Sequence, residues 1–535
     1  MHEFAYNYYL TVVCFDKTRP QVTVDDGQTY ADELNDFYSR FYKDSTPDEN
    51  KQFKIDNLTA FDDDVPIFRQ EDTCRVFQSL KVNKSQGPDK IAPKLLKTCA
   101  QELAAPFTRI FNLSLETHQL PLIWRTSEIV PVPKKNKVTT LNDLRPVAMT
   151  SVLVKSVEKL ILRFLLPAVA PFQDPYQFAY KQKRSVDDAV AIYVNHVYSH
   201  VDVPRHYCRT LFVDFSSAFN TLKPCILTVK LIKMNVNKHL CAWILEFLTD
   251  RPQYVRFTVD CQTYFSNTRV INIGSPQGTC ISPALFTLYT DDCRSECDSV
   301  KIVKFADDTA ILGLMDDSRE SFDLFAGEIE RFVTWCERHS LHLNVSKTKD
   351  MVMDFRLKGN EHDAIEIAGE LVERVSDYKY LGVTVNDKLD WSVHAQNVMS
   401  KVNQRMYFVR KLNAFGVDSV LVSLFYLAVV QSIMSFCVIV WGGNLACKYV
   451  SQFDSVARRA SRMTDIGQCC FMDIFEKCCL RKIGAIMKDV NHPLLKYITF
   501  SKRSNRIIII KANRERFRNS FLPYAVRLYS KNFKR

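Results

Sequence analysis

The stretch Val303-Lys304-Phe305-Ala306-Asp307-Asp308-Thr309-Ala310-Ile311-Leu312 sets two adjacent carboxylates between apolar, β-branched runs. Successive strand residues face opposite sides of a sheet, so neighbouring Asp residues serve one site only where the chain turns. The pattern predicts a tight hairpin with the acids at its tip. Two carboxylates in so apolar a setting are costly unless a cation neutralises them. Alone, such a dipeptide is far more often a solvated Asp-Asp turn, and the upstream sequence decides between the two.

Upstream, Thr210-Leu211-Phe212-Val213-Asp214-Phe215-Ser216-Ser217-Ala218-Phe219-Asn220 reads as a hydrophobic strand that releases Asp214 at its end and continues as a helix. That arrangement presents a carboxylate at a strand terminus. Gly274-Ser275-Pro276-Gln277-Gly278 is a turn, and Ser282-Pro283 supplies an N-cap and first-turn proline for a helix from Ala284 to Thr290. Tyr289-Thr290-Asp291-Asp292 repeats the aromatic-x-Asp-Asp pattern but ends that helix, and is read as surface.

Residues 1 to about 70 are polar and weakly patterned, and are read as a leader or linker with one amphipathic helix signal from Ala31 to Phe41. Lys81 to Lys97 is a basic loop broken at Gly87-Pro88, either a phosphate contact or a plain turn. Ile129-Val130-Pro131-Val132-Pro133 is a strand ending in Lys134-Lys135, and Leu141 to Val147 is expected to introduce a helix through about Leu166. A Lys and an Arg (Lys134, Arg145) at the ends of neighbouring extended segments could clamp a triphosphate. Gln177-Phe178-Ala179-Tyr180 precedes a helix from Val186 to Val197, and Arg251 to Asn272 is a strand region. Beyond the Asp pair come an amphipathic helix (Glu328 to His339), a loop carrying Leu343, Asn344 and Lys347, a strand from Met351 to Phe355 and a hairpin at Tyr378 to Val383. From Trp391 the pattern is helical.

With 535 residues, 47% hydrophobic and 24% charged, the chain is globular by composition, with room for several subdomains. Its 17 Cys show no C-x2-C spacing of a zinc module, and Cys469-Cys470 and Cys478-Cys479 are read as reduced, buried thiols of an intracellular protein. The net charge of +11 is concentrated: residues 501–535 hold eleven basic side chains against one acid, Glu515. A basic tail interleaved with Phe517, Phe521, Tyr524 and Tyr529 suits phosphate backbones and stacked bases, or is simply a solvated terminus. Ser419 to Cys447 carries no charge and is long enough to span a bilayer; its spread of Ser and Gln favours a buried helix.

Asp214, the Gly-Ser-Pro-Gln-Gly turn and the Asp307-Asp308 hairpin are together the parts of a two-metal nucleic-acid polymerase site, in which three acids hold two divalent ions. Oxygen ligands and phosphate chemistry point to Mg²⁺. The combination, with Gly87-Pro88-Asp89, Leu144-Arg145-Pro146-Val147, Gln177-Phe178-Ala179-Tyr180, Phe212 to Phe219, Arg251-Pro252-Gln253, Ser275-Pro276-Gln277-Gly278, Leu343-Asn344 with Lys347, and Tyr380-Leu381-Gly382, resembles reverse transcriptases of the non-LTR retrotransposon (LINE) kind, nearest to the jockey and chicken-repeat group. The resemblance runs from about Gly87 to the C-terminus.

It implies an α+β right-hand polymerase with an antiparallel palm sheet: an N-terminal leader (1–70), fingers (71–204), palm (205–375), primer grip and helical thumb (376–450) and a helical, basic C-terminal region (451–535). By position, Asp214, Asp307 and Asp308 are the expected metal-binding acids, with the Phe215 carbonyl as an extra ligand and Lys347 as proton donor to pyrophosphate. Phe219 is the expected gate against a ribose 2′-hydroxyl. Gln277 and Gly278 would lie along the nucleotide, Lys134 and Arg145 on its triphosphate, and Tyr380-Leu381-Gly382 would be the primer grip. The implied cofactor is two Mg²⁺, with Mn²⁺ as substitute. The partners are an RNA template, a DNA primer and dNTPs, with no membrane and no identifiable protein partner, acting in nucleus and cytoplasm. Leu144 stands where the family often has an aromatic. The first 70 residues leave no room for the family's usual endonuclease, and neither a zinc knuckle nor an RNase H is recognisable. A truncated open reading frame that copies RNA without nicking DNA is therefore expected, the alternative being a catalytically silent relic that only binds RNA.

Overall fold

The computed structural model describes residues 26–41, 47–58, 63–135, 137–356, 362–467, 469–502 and 507–532. These form a mixed α/β chain. Its strands are β1 (Ser127–Pro133), β2 (Leu144–Met149), β3 (Tyr207–Val213), β4 (Arg251–Val259), β5 (Gln262–Phe265), β6 (Arg269–Ile271), β7 (Val300–Phe305), β8 (Asp308–Met315), β9 (Lys349–Met353), β10 (Glu366–Ile367), β11 (Glu370–Leu371), β12 (Glu373–Arg374), β13 (Asp377–Tyr380) and β14 (Val383–Asn386).

β3 is the centre of one of two five-stranded sheets, ordered β12-β9-β3-β8-β7, antiparallel throughout except where β12 joins β9. Every residue of β3 is buried, and its side chains alternate between two cores. Leu211 and Val213, with Ile302 and Ile311, pack beneath helices Pro224–Lys233, Lys238–Leu248, Ser282–Tyr289 and Arg319–Arg338. Cys208 and Phe212, with Val303, Ala310 and Leu312, pack against helix Val186–Val201 and the C-terminal helices. One charged side chain sits within β3: Arg209, 1% exposed, grips Asp350 of β9 through two hydrogen bonds of 2.9 Å each. The bidentate geometry satisfies both buried charges at once and fixes how β9 lies against β3.

The second sheet runs β2-β1-β4-β5, with β6 on β4. The expected helix from Leu141 does not form there. Antiparallel pairing from Glu128↔Met149 to Pro133↔Leu144 makes residues 144–149 a strand, and Pro146 biases Arg145 toward extended backbone. The helix begins only at Val152, capped by Ser151. The helix expected directly after Asp214 is likewise delayed: a short turn, Ala218–Asn220, intervenes before Pro224–Lys233.

The leader reading fails for the part that is described. Helix Gly27–Tyr38 buries Ala31, Leu34 and Tyr38 against Ile129, Val255 and Phe257, and the Asn35 amide donates to Asn267 O (2.8 Å) while accepting from Gln253 (2.9 Å). Asp291 is not surface: it is 4% exposed and accepts the Asp174 N–H at 2.6 Å, whereas Asp292 is exposed and pairs with Lys230 at 2.6 Å.

The tail is folded too. Helix Phe521–Asn532 buries Phe521, Leu522, Ala525 and Val526 in the core shared with helix Phe471–Met487, and Phe517 is buried beside them. These rings are core, not a stacking surface; Arg503, Arg506, Lys534 and Arg535 lie outside the described residues. The C-terminal region is clamped to helix Val186–Val201 at Asp188. Burial alone would raise this carboxyl, but the hydrogen bond from His492 (3.0 Å) and the Lys482 charge (2.6 Å) outweigh it and hold it at about 2.

The uncharged segment is a broken helix rather than one buried rod: Ser419–Phe425, a wide turn Tyr426–Gln431, Ser432–Ser435, then a left-handed Cys437 (φ 49°) before Val438–Trp441. Val422, Tyr426, Val430 and Met434 are buried, while Val420, Leu421 and Leu424 are each 57% exposed. Among the described residues no single helix is long and apolar enough to cross a membrane; Ser419–Ser435 with Val438–Asn444, bent by 42°, has the length and composition only as a pair. The sixteen described cysteines are all free; Cys479 is buried, and Cys469, Cys470 and Cys478 are half-buried.

Glu158, fully buried in helix Val152–Val169, accepts the backbone N–H groups of Cys280 and Ile281 and so holds the entry of helix Ser282–Tyr289. Burial pushes its carboxyl from the usual 4.5 up to about 7, against the opposing pull of those N–H groups. The folded state holds this proton more tightly than the unfolded one, so its contribution is largest below about pH 4.5 and is lost as pH rises to about 7, about 3 kcal/mol in all. Glu158→Gln is expected to flatten the pH dependence of the unfolding midpoint across that window, measured by urea denaturation at several pH values.

Candidate active site

The antiparallel register of β3 with β8 ends at Val213↔Thr309, and β7 closes on β8 at Phe305↔Asp308. Asp214, the first residue past β3, therefore lies beside the Asp307-Asp308 tip. Only Ala306 and Asp307 turn the hairpin, with Ala306 at φ 58°. Gln177, 1% exposed, accepts the Ala306 N–H at 3.1 Å and so locks this left-handed tip. The hairpin is anchored further by Lys304, whose ammonium meets Asp174 (2.9 Å) and the carbonyls of Thr290 and Cys293 (2.7 Å each).

Water reaches Asp307 and Asp308, yet dense protein surrounds them. Desolvation first, then the neighbouring Asp307 and Asp214 charges, push the Asp308 carboxyl up to about 6; Asp307 is raised by desolvation and Asp214, with Arg145 opposing. Asp214 Oδ2 is buried with no hydrogen-bond partner, and Lys347 Nζ stops 3.5 Å from it. The loop after helix Arg319–Arg338 brackets Asp214: Asn344 N–H donates to Asp214 O (2.9 Å) and Ser216 N–H to His342 O (2.8 Å). Phe215 faces Leu343 in this bridge, its own carbonyl outside the two bonds.

The Gly-Ser-Pro-Gln-Gly turn lies on the far side. Gly274 N–H donates to Leu222 O and Ser275 N–H to Phe219 O, each at 2.7 Å, and Phe219 stacks on Phe286 at 4.5 Å. Gln277 O accepts the Ala148 N–H (2.7 Å), joining the turn to β2, and its amide reaches Asn220 at 3.3 Å. Lys134 and Arg145 face the site from the ends of β1 and β2. Lys134 donates to Asn142 O at 2.7 Å, and burial followed by the Arg145, Lys347 and Arg40 charges lowers its pKa. The β13–β14 turn, Leu381-Gly382 (φ 48° and 88°), closes another edge. Tyr380 is buried in it against Tyr193 and Phe212, and Tyr378 stacks on Phe212 at 4.3 Å, near enough to Asp308 and Asp214 for both to raise its hydroxyl pKa after burial.

The acids, Lys347, Lys134, Arg145, Phe219, Gln277 and the Tyr380 hairpin thus border one region. Sequence reading assigned no role to Gln177, Tyr180, Tyr378 or Arg40. Tyr180 and Tyr378 fall inside motifs already noted; Arg40 reaches the site only through tertiary packing. Among the described residues no three His, Cys, Asp or Glu side chains stand close enough to hold a metal ion as placed. The donor set nevertheless fits a hard cation that draws the side chains inward: three carboxylates sharing one region, two of them raised by burial and then by their neighbours' charge, and one buried oxygen without a hydrogen-bond partner.

Residues 132–385 match the reverse transcriptase (RNA-dependent DNA polymerase) family. This segment is a reverse transcriptase domain. The chain is similar to a probable RNA-directed DNA polymerase from transposon BS of Drosophila melanogaster, 25% identical over 396 residues (72% of this chain, 43% of that protein). It is also similar to the RNA-directed DNA polymerase from mobile element jockey of the same organism, 24% identical over 338 residues (61% and 36%). A probable RNA-directed DNA polymerase from transposon X-element of Drosophila melanogaster is 23% identical over 365 residues (67% and 39%). The chain spans less than half the length of each of these relatives. Their company agrees with the expected non-LTR retrotransposon kind of reverse transcriptase.

Gly278 is the tightest point of the site. At φ +138° its backbone is one that L residues rarely adopt, and a Cβ there would lie 2.4 Å from Ala148 O. Gly278→Ala is expected to destabilise the protein by roughly 2 kcal/mol or more, read as a lowered urea midpoint.

Proposed function

We propose that this chain is the RNA-directed DNA polymerase of a non-LTR retrotransposon, transferring a nucleotidyl group from a dNTP to the 3′-hydroxyl of a DNA primer on an RNA template. The observation that carries this reading is the β3–β8 register, which sets Asp214 beside Asp307 and Asp308 in a region also bordered by cations. In this reading residues 205–375 are the palm, 71–204 the fingers, 376–450 the primer grip and thumb, and 451–535 a C-terminal helical region; the N-terminal part joins the fingers sheet through helix Gly27–Tyr38.

Asp214, Asp307, Asp308 and the Phe215 carbonyl would hold Mg²⁺, or Mn²⁺ in its place. When bound, such ions acidify the primer hydroxyl and stabilise the leaving pyrophosphate. The protein's own groups position the reactants. Lys134 and Arg145 hold the triphosphate, Arg145 offering a planar fork for its oxygens. Lys347 is close enough to Asp214 to respond to its charge and to give a proton to the departing pyrophosphate. Phe219, stiffened by Phe286 behind it, blocks the space a ribose 2′-hydroxyl needs. Gln277 and Gly278 lie along the nucleotide, and the Tyr380-Leu381-Gly382 turn supports the primer end. Template and primer are gripped chiefly by backbone charge, so binding weakens steeply with salt.

On an oligo(dT)-primed poly(rA) template with Mg²⁺, Asp307→Ala is expected to lower dTTP incorporation at least roughly 100-fold; unchanged incorporation would refute the assignment. Phe219→Ala is expected to keep polymerisation while relaxing discrimination against UTP roughly 10-fold, measured as the ratio of kcat/KM values.

A further inference from the structure

Arg40 lies two residues beyond helix Gly27–Tyr38. Its guanidinium is held between two rings, 3.8 Å from the centre of Phe37 and 4.2 Å from that of Phe41, and Phe41 in turn stacks on His342 of the loop that brackets Asp214 (5.6 Å). Nη1 donates to Phe37 O (2.5 Å) and Nη2 to Ser217 Oγ (3.2 Å), three residues beyond Asp214. Among the described residues no carboxylate pairs with it.

Arg40 belongs instead to a group of like charges. The charges of Arg145, Lys347 and Arg40 all bear on Lys134, so four cations from four separate segments face one region. Two acids meet this group: Asp214, 3.5 Å from Lys347, and Asp143, which is engaged by Lys135 at 2.8 Å. Four cations gathered about so few carboxylates repel one another, and an anion of several charges neutralises them together. Beside Arg40 lies an open recess walled by Tyr38, Ser39, Phe41, Asn220, Pro276 and Gln277. The Tyr38 hydroxyl, in a residue 7% exposed, is buried there with no hydrogen-bond partner.

We infer that Arg40 is a nucleotide-binding residue, contacting the phosphates of the incoming dNTP, and that the segment from Tyr38 to Phe41 completes the nucleotide site from outside the family-matching region. This rests on reading the site as a polymerase centre. A template phosphate offers the same chemistry, but the Ser217 hydrogen bond and the Phe41–His342 stacking hold Arg40 beside the two segments that bracket Asp214, where the triphosphate of the reacting nucleotide must lie. Stacking between Phe37 and Phe41 fixes the fork in advance and limits the entropy lost when phosphate binds.

The test uses the full chain with Arg40→Met, which keeps an apolar stem between the rings, and Arg40→Lys, which keeps the charge. Thermal melting confirms that both fold. For Arg40→Met, KM for dTTP is expected to rise roughly 10-fold, with kcat and primer-template Kd within about twofold of wild type and with KM for pyrophosphate in the reverse reaction rising in parallel. Arg40→Lys should recover part of the loss. Unchanged KM for dTTP would overturn the inference, as would an equal loss of primer-template affinity, which would assign Arg40 to the template backbone. Tripolyphosphate titration by calorimetry gives an arm independent of turnover. If wild type does not polymerise, the polymerase reading falls, and equal tripolyphosphate affinity in wild type and Arg40→Met would overturn the phosphate role as well.

Discussion

The pairing of β3 with β8 is the constraint on which the site depends. Strand side chains alternate with a period of two, so a slip of one residue would carry Leu211 and Val213 into the wrong core and move Asp214 away from Asp307 and Asp308 together. Both faces of β3 are buried, which makes such a slip costly. Arg209 and Asp350 add a directional pin, because a fork and a carboxylate meet well in one register only. The supports around the acids follow from that frame. Gln177 holds the hairpin tip, the His342 to Asn344 loop ties down the far side of Asp214, and Glu158 fixes the start of the helix whose Phe286 backs Phe219.

The site holds two opposed charge groups, each uncomfortable alone. Burial and then the neighbouring carboxylates raise Asp307 and Asp308, while burial and then the neighbouring cations lower Lys134. Large buried ion pairs occur elsewhere, at Asp188, Asp174 and Asp350, and there every charge has a close partner. At the candidate site like charges face one another within each group. A nucleotide triphosphate with divalent cations carries both complementary signs, so the arrangement suits a ligand of that class better than a structural role.

Much of this was legible in the sequence because the chemistry is local. Gly274, Gly278 and Gly382 declare their turns as the residue type that tolerates left-handed backbone, and Asp307-Asp308 declares its hairpin as acids set between two apolar runs. What escaped was decided at a distance. Residues 141–147 lead toward a helix in the sequence, and pairing with β1 makes 144–149 a strand before that helix begins. Asp291 is buried because the backbone of Asp174, more than a hundred residues earlier, needs an acceptor. Phe517 and Phe521 looked free to stack on bases until helix Phe471–Met487 covered them. Arg40 had no periodic signal of its own; its place depends on helix Gly27–Tyr38 docking on β4.

The most direct test of the convergence of Asp214, Asp307 and Asp308 on a cation is iron-directed cleavage. Fe²⁺ replaces Mg²⁺ in the full chain with primer-template and dTTP, and ascorbate with peroxide generates hydroxyl radicals at the bound ion. The account predicts backbone scission beside Asp214 and beside Asp307 and Asp308, suppressed by excess Mg²⁺. Scission elsewhere only, or scission that excess Mg²⁺ leaves unchanged, would contradict it.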